Sequence, residues 1–281
     1  MKYNKLFDHF LFNSDVLAAK YLNDKYSLDK EEFLRKKYPL LFTSYTDTKD
    51  IQDKIAIESD KKNAFDILGN FERLLGFQRI KYLVSTIEKM PSGSKILDYG
   101  CSVGEITVLL ASKFPNINFE GADISPVKLK IAQEFITEKG IKNIKYFECN
   151  NPDKLKKQEY DAIICTETME HILEYQPFLE NLEKASKIGG KLFFTTPLGP
   201  LEVFSFEEDN VREHLHHYEI LDIAEMIGHK KDANIVYIPT ATVKSVPIGN
   251  LFWSWTKNDN EFIGAINYDR KIASYKYYTL I

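Results

Sequence analysis

Three acid and base side chains follow the apolar run YDAIICT. Glu167, Glu170 and His171 stand at positions i, i+3 and i+4, so a helix that begins there would turn all three to one face. Two carboxylates and an imidazole can orient a hydroxyl and remove its proton. The spacing therefore predicts a catalytic group formed by His171, Glu167 and Glu170.

The same side chains are also metal-ligand types. Downstream, the run REHLHH carries three of the six histidines of the chain. Carboxylate oxygens combined with imidazoles suit Mg²⁺, Mn²⁺, Fe²⁺ or Zn²⁺ in a mixed site with open positions for substrate oxygens. The alternative is a pocket-lining turn without a metal, in which His171 acts at most as a general base. Both interpretations stay open at this point.

A tight turn follows the run KILDYG. Gly100, Ser102 and Gly104 are small enough to let the backbone turn sharply and approach a ligand at the carboxyl edge of a sheet. Glu105 stands where a dinucleotide-binding loop needs a third small residue, and its carboxylate would repel a diphosphate. Asp98 and Glu105 are better suited to a ligand with a sulfonium and an amino group. Charge thus argues against NAD.

An acid ends the next apolar run, NFEGADI. Asp123 lies nineteen residues after Gly104, at a strand tip where a carboxylate can accept hydrogen bonds from both ribose hydroxyls of an adenosine. Ile124 beside it can cover the base. The glycine turn and this acid together predict a ligand that contains adenosine.

Short apolar runs alternate with amphipathic runs between residues 95 and 197. We predict strands at KILDYG, NFEGADI, IKYFECN, YDAIICT and GKLFFTTP, and helices at ITVLLASKF, PVKLKIAQEFITEKG and PFLENLEKASKI. Such alternation favours parallel strands with right-handed helical crossovers. The predicted fold class is α/β with a doubly wound sheet. Beyond residue 197 we predict a helix at HHYEILDIAEMIG and strands at ANIVYIPTA and LFWSWT.

The first 90 residues differ from the rest. Apolar residues recur there at helical intervals between Lys, Asp and Glu, which predicts a helical N-terminal cap over residues 1–90 and a core domain over residues 91–281. A lid, a dimer surface and a partner dock are all open roles for the cap.

Composition limits the function classes. The net charge of −4 gives no long-range attraction for phosphate backbones, which argues against a nucleic-acid partner. No apolar run approaches the ~20 residues of a membrane span, and the N-terminus lacks the order of a secretory signal, so we expect a cytoplasmic protein. Cys101, Cys149 and Cys165 have no CxxC spacing, and we expect reduced, buried thiols.

The motifs LDYGCSVGEIT, EGADIS, YFECNNPDKL, YDAIICTETMEHI and GGKLFFTTP resemble those of class I S-adenosylmethionine-dependent methyltransferases. The resemblance covers roughly residues 70–240 and implies a Rossmann-like sheet of order 3-2-1-4-5-7-6 with its last-inserted strand antiparallel. It implies that the methionine part of the cofactor lies among Asp98, Gly100, Cys101, Ser102 and Gly104. The nucleoside would lie among Asp123, Ile124, Asn150, Asn151 and Thr166, with Asn150 or Asn151 facing the adenine amino group.

Ser102 departs from this family, whose members usually have glycine there. We expect altered loop geometry at Ser102 and retained binding. The pattern from Glu167 to His171 resembles that of ubiquinone-pathway O-methyltransferases. With a later histidine it also resembles metal-dependent small-RNA 2′-O-methyltransferases, and in that comparison His216 falls best on the distal ligand position. The latter resemblance implies a metal held by Glu167, Glu170, His171 and His216.

These features predict an S-adenosylmethionine-dependent O-methyltransferase. The segments GNLFWSW and INYDRKI resemble methyltransferases that accompany bacterial glycosyltransferases, which implies a sugar, nucleotide-sugar or surface-glycan hydroxyl as acceptor, in polysaccharide biosynthesis. A small aromatic or quinone-like hydroxyl is the alternative, and the acidic balance disfavours an RNA hydroxyl. A non-catalytic scaffold that keeps the cofactor fold is a further alternative. A homodimer is compatible with each of these interpretations.

Overall fold

The computed structural model describes residues 78–172, 175–197, 218, 220–228, 230–243 and 246–258. The helices in these ranges are α1 (Gln78–Ile87), α2 (Glu105–Lys113), α3 (Pro126–Lys139), α4 (Tyr175–Ala185) and α5 (Ile220–Ile227). The strands are β1 (Lys95–Tyr99), β2 (Asn118–Asp123), β3 (Ile144–Glu148), β4 (Tyr160–Thr166), β5 (Ser186–Pro197), β6 (Lys231–Val243) and β7 (Val246–Thr256). Short 3₁₀ turns cover Pro152–Lys154 and Met169–His171.

The seven strands form a sheet of order β3-β2-β1-β4-β5-β7-β6. Strand β1 pairs in parallel with β2 and β4, and β2 pairs in parallel with β3, whereas β6 and β7 are antiparallel. The α/β prediction and the strand order implied by the resemblance are therefore confirmed. In the β1 register Asp98 lies opposite Gly121 of β2 and Ile164 of β4. The carboxyl ends of these three strands consequently share one edge.

Burial on both faces explains why the central strands appear in the sequence as continuous apolar runs. Ile96, Leu97, Ile163 and Ile164 are fully buried. Helix α3 shows equally clear local signals. It has proline at its first position, its N-cap Ser125 accepts a hydrogen bond from the Lys128 amide at 3.2 Å, and it ends at a left-handed Gly140, as helix capping requires.

The described chain divides into two compact units. The first comprises residues 78–166 and Gln176–Phe194, with β1 to β4 at its centre. The second comprises Glu167–Tyr175 and the described residues from Thr195 onward, including α5, β6 and β7. Inside the second unit Trp253 and Trp255 are buried and stack with ring centroids 5.8 Å apart. The aromatic run of β7 is therefore core packing.

One predicted boundary is wrong. The helical pattern of PFLENLEKASKI suggested a helix through Ile188, but α4 ends at Ala185 and β5 begins at Ser186. The last carbonyls of α4 accept hydrogen bonds from the segment before β4: Gln158 N donates to Lys184 O and Glu159 N donates to Ala185 O, at 2.9 and 2.8 Å. These tertiary bonds satisfy the helix end and stop it there.

Several predictions fall outside the described residues. Of the N-terminal cap only α1 and the turn after it are described, and the domain boundary at residue 90 stays a prediction, as does the cytoplasmic location. In the described ranges no helix has the length and apolar character needed to cross a membrane.

Candidate functional site

The loop after β1 is fastened to the end of β2 by backbone hydrogen bonds. Gly100 N and Cys101 N both donate to Ala122 O, at 2.7 and 3.0 Å. Gly104 N donates to Cys101 O at 2.8 Å, which closes the turn, and α2 begins at the next residue. The predicted glycine turn is therefore present at the carboxyl edge of β1.

Alternate residues of this loop have positive φ. The values are 77° at Gly100, 53° at Ser102 and 82° at Gly104. Glycine adopts this left-handed region freely, whereas a side chain there costs on the order of 1 kcal/mol. Ser102 thus holds a conformation that glycine would adopt at lower cost, which gives a physical reason for the glycine that the resemblance expects.

Tyr146 of β3 fills the space beneath the loop. A Cβ added to Gly104 would collide with the Tyr146 hydroxyl, and one added to Gly121 would lie 2.5 Å from the tyrosine ring. Burial raises the pKa of the Tyr146 hydroxyl above its usual range. Gly104 is therefore required both by the turn and by the close approach of this side chain, and Gly121, which lies within β2, by the close approach alone.

Asp98 is a buried carboxyl group with one oxygen available. It is 2% exposed, and its Oδ2 accepts a hydrogen bond from Thr107 Oγ1 at 2.5 Å. Its Oδ1 is buried and has no hydrogen-bond partner among the described residues. Burial raises the pKa of Asp98 to about 7, the Thr107 hydrogen bond opposes this rise, and the negative charge of Asp123 adds to it. A cationic ligand group would offset the cost of burying this charge.

Asp123 is held in one orientation by two backbone amides. Its Oδ2 accepts from Ser102 N at 2.8 Å, and its Oδ1 accepts from Ser125 N at 2.9 Å. Each carboxylate oxygen retains a second acceptor position. Ser125, and not Asp123, caps α3. The acid is consequently pre-oriented at the strand tip, where it can accept hydrogen bonds from two ribose hydroxyls.

The predicted adenine end of the site follows β2 and β3. Ile124 and Asn150 are half-buried, whereas Asn151 is exposed. Asn151 Oδ1 accepts from Asp153 N at 3.1 Å and caps the 3₁₀ turn. Asn150 Oδ1 accepts from the exposed Lys154 ammonium at 2.6 Å, an interaction that water screens. Asn150 is therefore the better placed of the two to meet a base.

The three cysteines are buried free thiols. Burial raises the pKa of both Cys101 and Cys149, which disfavours the reactive thiolate. The expectation of small buried side chains is confirmed.

The turn after β4 differs from the sequence prediction. Thr166 ends β4, and Glu167 then adopts a left-handed backbone with φ of 49°. The backbone of Glu167 is therefore not right-handed helical, and the segment that follows is the 3₁₀ turn Met169–His171. The predicted helical face that carries Glu167, Glu170 and His171 is therefore wrong.

Hydrogen bonds from two strands fix Glu167. Its backbone N donates to Thr195 O at 2.9 Å. Its Oε1 accepts from Thr195 Oγ1 at 2.6 Å, and its Oε2 accepts from Asn250 Nδ2 at 2.8 Å. Glu170 is 1% exposed, and His171 is half-buried. Of the predicted catalytic group, Glu170 is therefore buried, Glu167 is half-buried with both oxygens engaged by the protein, and His171 is half-buried.

Residues 90–238 match the family described as the methyltransferase domain, and this match covers more than half of the chain. The protein belongs to the methyltransferase domain family. The resemblance to class I S-adenosylmethionine-dependent methyltransferases is thereby confirmed at the level of family.

Curated relatives of this methyltransferase-family chain include two O-methyltransferases. The ubiquinone biosynthesis O-methyltransferase of Coxiella burnetii is 32% identical over 120 residues, which are 42% of this chain and 49% of that protein. The malonyl-[acyl-carrier protein] O-methyltransferase of Bacillus cereus is 28% identical over 134 residues, 47% of this chain and 48% of that protein. The chain thus spans about half the length of these relatives.

Solved structures share the fold. Phosphoethanolamine N-methyltransferase 2 of Haemonchus contortus, in complex with S-adenosyl-L-methionine, has a TM-score of 0.58 at 14% identity and covers 77% of this chain and 60% of its own. The YcgJ protein of Bacillus subtilis has a TM-score of 0.51 at 13% identity, and the match covers 65% of this chain and 99% of the YcgJ chain. These likenesses confirm the Rossmann-like fold.

The metal hypothesis gains no support. In the described ranges no group of three His, Cys, Asp or Glu side chains could hold an ion, and both oxygens of Glu167 already accept hydrogen bonds from protein donors. The proposed fourth ligand, His216, lies outside the described residues.

Five residues that shape the site were not predicted from the sequence. Thr107 had a usable signal, because it is a polar residue within the apolar run ITVLLA. The others gave no local signal, since their roles arise from tertiary contacts or from backbone position; they are Ser125, Tyr146, Thr195 and Asn250.

Proposed function

We propose that this protein binds S-adenosylmethionine beside β1 and β2 and methylates a hydroxyl of a small aromatic or quinone-like metabolite. The observation that carries the proposal is the pair of acids at this edge. Asp98 keeps a buried oxygen without a partner among the described residues, and Asp123 is pre-oriented by two amides. This pair suits a donor that is cationic at one end and carries a ribose at the other.

Each part of the donor has a candidate residue. The Asp98 carboxylate would accept a hydrogen bond from the ammonium of the methionine part, and Asp123 would accept from the ribose hydroxyls. Gly100 and Gly104 let the backbone approach the ligand closely. Asp98 and Glu105 disfavour a diphosphate at the same loop, so a nicotinamide dinucleotide fits poorly.

The relatives support the proposed acceptor class. Both curated relatives described above carry names of O-methyltransferases, one of them from ubiquinone biosynthesis, which supports an oxygen acceptor and favours the quinone-like alternative. They do not support the sugar, nucleotide-sugar or surface-glycan hydroxyl that the sequence first suggested, nor a role in polysaccharide biosynthesis.

Methylation of a hydroxyl requires that its oxygen be aligned with the methyl carbon and that its proton be removed. When bound, S-adenosylmethionine supplies an activated methyl carbon, which passes to the acceptor oxygen as the carbon–sulfur bond breaks. The protein has to hold the hydroxyl in line and take its proton. His171 is the candidate general base, because it lies in the 3₁₀ turn after β4, is half-buried and has a backbone fixed by the bond from its N to Thr168 O at 3.0 Å.

The test is methyl transfer from S-adenosylmethionine to a catechol probe, 3,4-dihydroxybenzoate, followed by mass spectrometry of the product. His171→Ala should cut turnover by roughly 100-fold and leave the affinity for S-adenosylhomocysteine nearly unchanged. Equal turnover in the variant refutes the role of His171. Methylation of a nucleotide-sugar without methylation of the catechol refutes the acceptor class.

A chelation experiment separates the two proton-transfer routes. Activity after exhaustive dialysis against EDTA should equal the untreated activity, because imidazole catalysis needs no cation. Loss of activity that Mg²⁺, Mn²⁺ or Zn²⁺ restores would reinstate the metal route.

A further inference from the structure

The Glu167 side chain is fixed at both of its oxygens by hydrogen bonds within the protein. Its two carboxylate oxygens meet side-chain donors from two strands, Thr195 of β5 and Asn250 of β7, at 2.6 and 2.8 Å. These donors lie 28 and 83 residues further along the chain. We call this set of three residues the Glu167 clamp.

The backbone at Glu167 requires such support. A side chain at φ of 49° lies in a left-handed region that non-glycine residues adopt at a cost. Hydrogen bonds to an ionised carboxylate are stronger than those between neutral groups. The Glu167 clamp thus offsets the strain and defines where the turn after β4 starts.

The chemistry of the two donors explains the orientation of the Glu167 side chain. The Asn250 amide group can only donate through Nδ2, so the facing Oε2 must accept. Thr195 donates its hydroxyl proton to Oε1 and also accepts from the Glu167 amide through its carbonyl. This arrangement occupies one acceptor position on each side-chain oxygen of Glu167 and fixes the orientation of the group.

We propose that Thr195 and Asn250 are positioning residues for the acceptor side of the reaction. They hold Glu167 as an anchor, and Glu167 in turn sets the start of the 3₁₀ turn that carries His171. Glu167 is therefore an anchor and not the general base. The inference rests on the proposed O-methyltransferase function, and it adds a contribution from β7 that the sequence motif does not contain.

A swap of hydrogen-bonding partners tests the clamp. Asn250→Asp places two carboxylates face to face and should lower kcat for the catechol by roughly tenfold or more, with the KM for S-adenosylmethionine unchanged. Glu167→Gln should cost less than about fivefold, because the Asn250 amide can turn its oxygen toward the new amide. The double variant Glu167→Gln with Asn250→Asp should recover to within about fivefold of wild type, since the introduced glutamine amide donates to the introduced carboxylate.

Adjacent threonines of β5 provide a matched control. Thr195→Val removes the donor to Glu167 at almost constant volume and should lower kcat, whereas Thr195→Ser keeps the hydroxyl and should restore it. The Thr196 hydroxyl is buried with no hydrogen-bond partner among the described residues. Thr196→Val should therefore leave kcat at the wild-type value.

Several outcomes overturn the proposal. A wild-type kcat in Asn250→Asp would show that Asn250 has no positioning role. A double variant with a kcat no higher than that of Asn250→Asp would show that the Glu167 clamp does not act on the reaction. A large loss in Glu167→Gln alone makes Glu167 the base. If Asn250→Asp does not fold, as judged by thermal melting, the threonine variants test the clamp instead. An equal kcat in Thr195→Val, Thr195→Ser and Thr196→Val would then overturn the proposal.

Hydrogen exchange separates this proposal from the proposed function. If the wild-type protein does not methylate the catechol, the proposed acceptor class fails. Amide exchange of residues 166–172 then tests the clamp: it should be faster in Asn250→Asp and return to the wild-type rate in the double variant. Equal exchange in all three proteins overturns the clamp irrespective of activity.

Discussion

Asp98 and Glu167 are carboxylates at the carboxyl ends of neighbouring parallel strands, β1 and β4, but their surroundings differ. Asp98 has one oxygen bound by Thr107 and one buried without a partner among the described residues. Glu167 has a side-chain donor on each oxygen. Under the proposed function, the buried oxygen that Asp98 keeps without a described partner suits it to a ligand, whereas the side-chain donors on both oxygens of Glu167 suit it to anchoring a turn.

The largest effect should come from Asp123, the acid proposed to accept hydrogen bonds from the ribose. Asp123→Ala removes both acceptor oxygens for the ribose and should weaken binding of S-adenosylhomocysteine by about 100-fold, measured by isothermal titration calorimetry. Glu138→Gln, on the exposed end of α3, is the control and should bind as wild type. If Asn250→Asp weakens binding as much as Asp123→Ala does, the proposed donor site and the Glu167 clamp do not have separate roles.

The glycine loop should be the next most sensitive point. Gly104→Ala puts a Cβ against the Tyr146 hydroxyl at positive φ and should lower the free energy of unfolding by about 2–4 kcal/mol in urea titrations. Gly93→Ala has a similar φ but nothing within 4 Å of the new Cβ, so it should cost only about 1 kcal/mol. Adding Tyr146→Phe should relieve part of the Gly104→Ala penalty. Equal penalties at both glycines would show that tyrosine packing is irrelevant.

The raised pKa of Asp98 predicts a pH dependence of cofactor affinity. The ammonium of the ligand prefers the ionised carboxylate, and Asp98 has a pKa of about 7, so affinity should increase as pH rises through 7. Binding of S-adenosylhomocysteine should be roughly tenfold weaker at pH 6 than at pH 8. Asp98→Asn should bind weakly with no such slope. A wild-type protein with equal affinity at both pH values argues against Asp98 as the cation partner.

The smallest effect is expected for glycine substitutions at Ser102 and Glu167, two non-glycine residues with left-handed backbones, whose free energies of unfolding should change in different ways. Ser102 contributes its amide to Asp123, which glycine can also do, so Ser102→Gly should raise the free energy of unfolding by about 0.5–1 kcal/mol. Glu167→Gly removes the side chain that its neighbours hold and should not be stabilising. Urea titration of both variants checks this contrast.

Much of the fold was predictable because its signals are local. Buried parallel strands such as Ile96–Leu97 and Ile163–Ile164 appear as apolar runs, and α3 carries its own caps. The end of α4 was not predictable, because its last carbonyls are satisfied by amides of Gln158 and Glu159. A helical pattern alone could not reveal those partners.

The site divides in the same way. The glycine turn and the position of Asp123 were predictable, because each stands at the end of an apolar run and has a distinctive residue type. The conformation of Glu167 could not be predicted, because it depends on donors 28 and 83 residues away. A spacing of i, i+3 and i+4 assumes helical backbone, and a single left-handed residue removes that assumption.

The central claim is that the edge of β1 and β2 recognises a cationic adenosyl donor. Calorimetric titration of the wild-type protein at pH 8 with S-adenosylhomocysteine tests it most directly, with NAD titrated in parallel. We expect one molecule to bind per chain in the micromolar range and NAD to produce no heat and no competition. No heat of binding with S-adenosylhomocysteine, or displacement of S-adenosylhomocysteine by NAD, would contradict the claim.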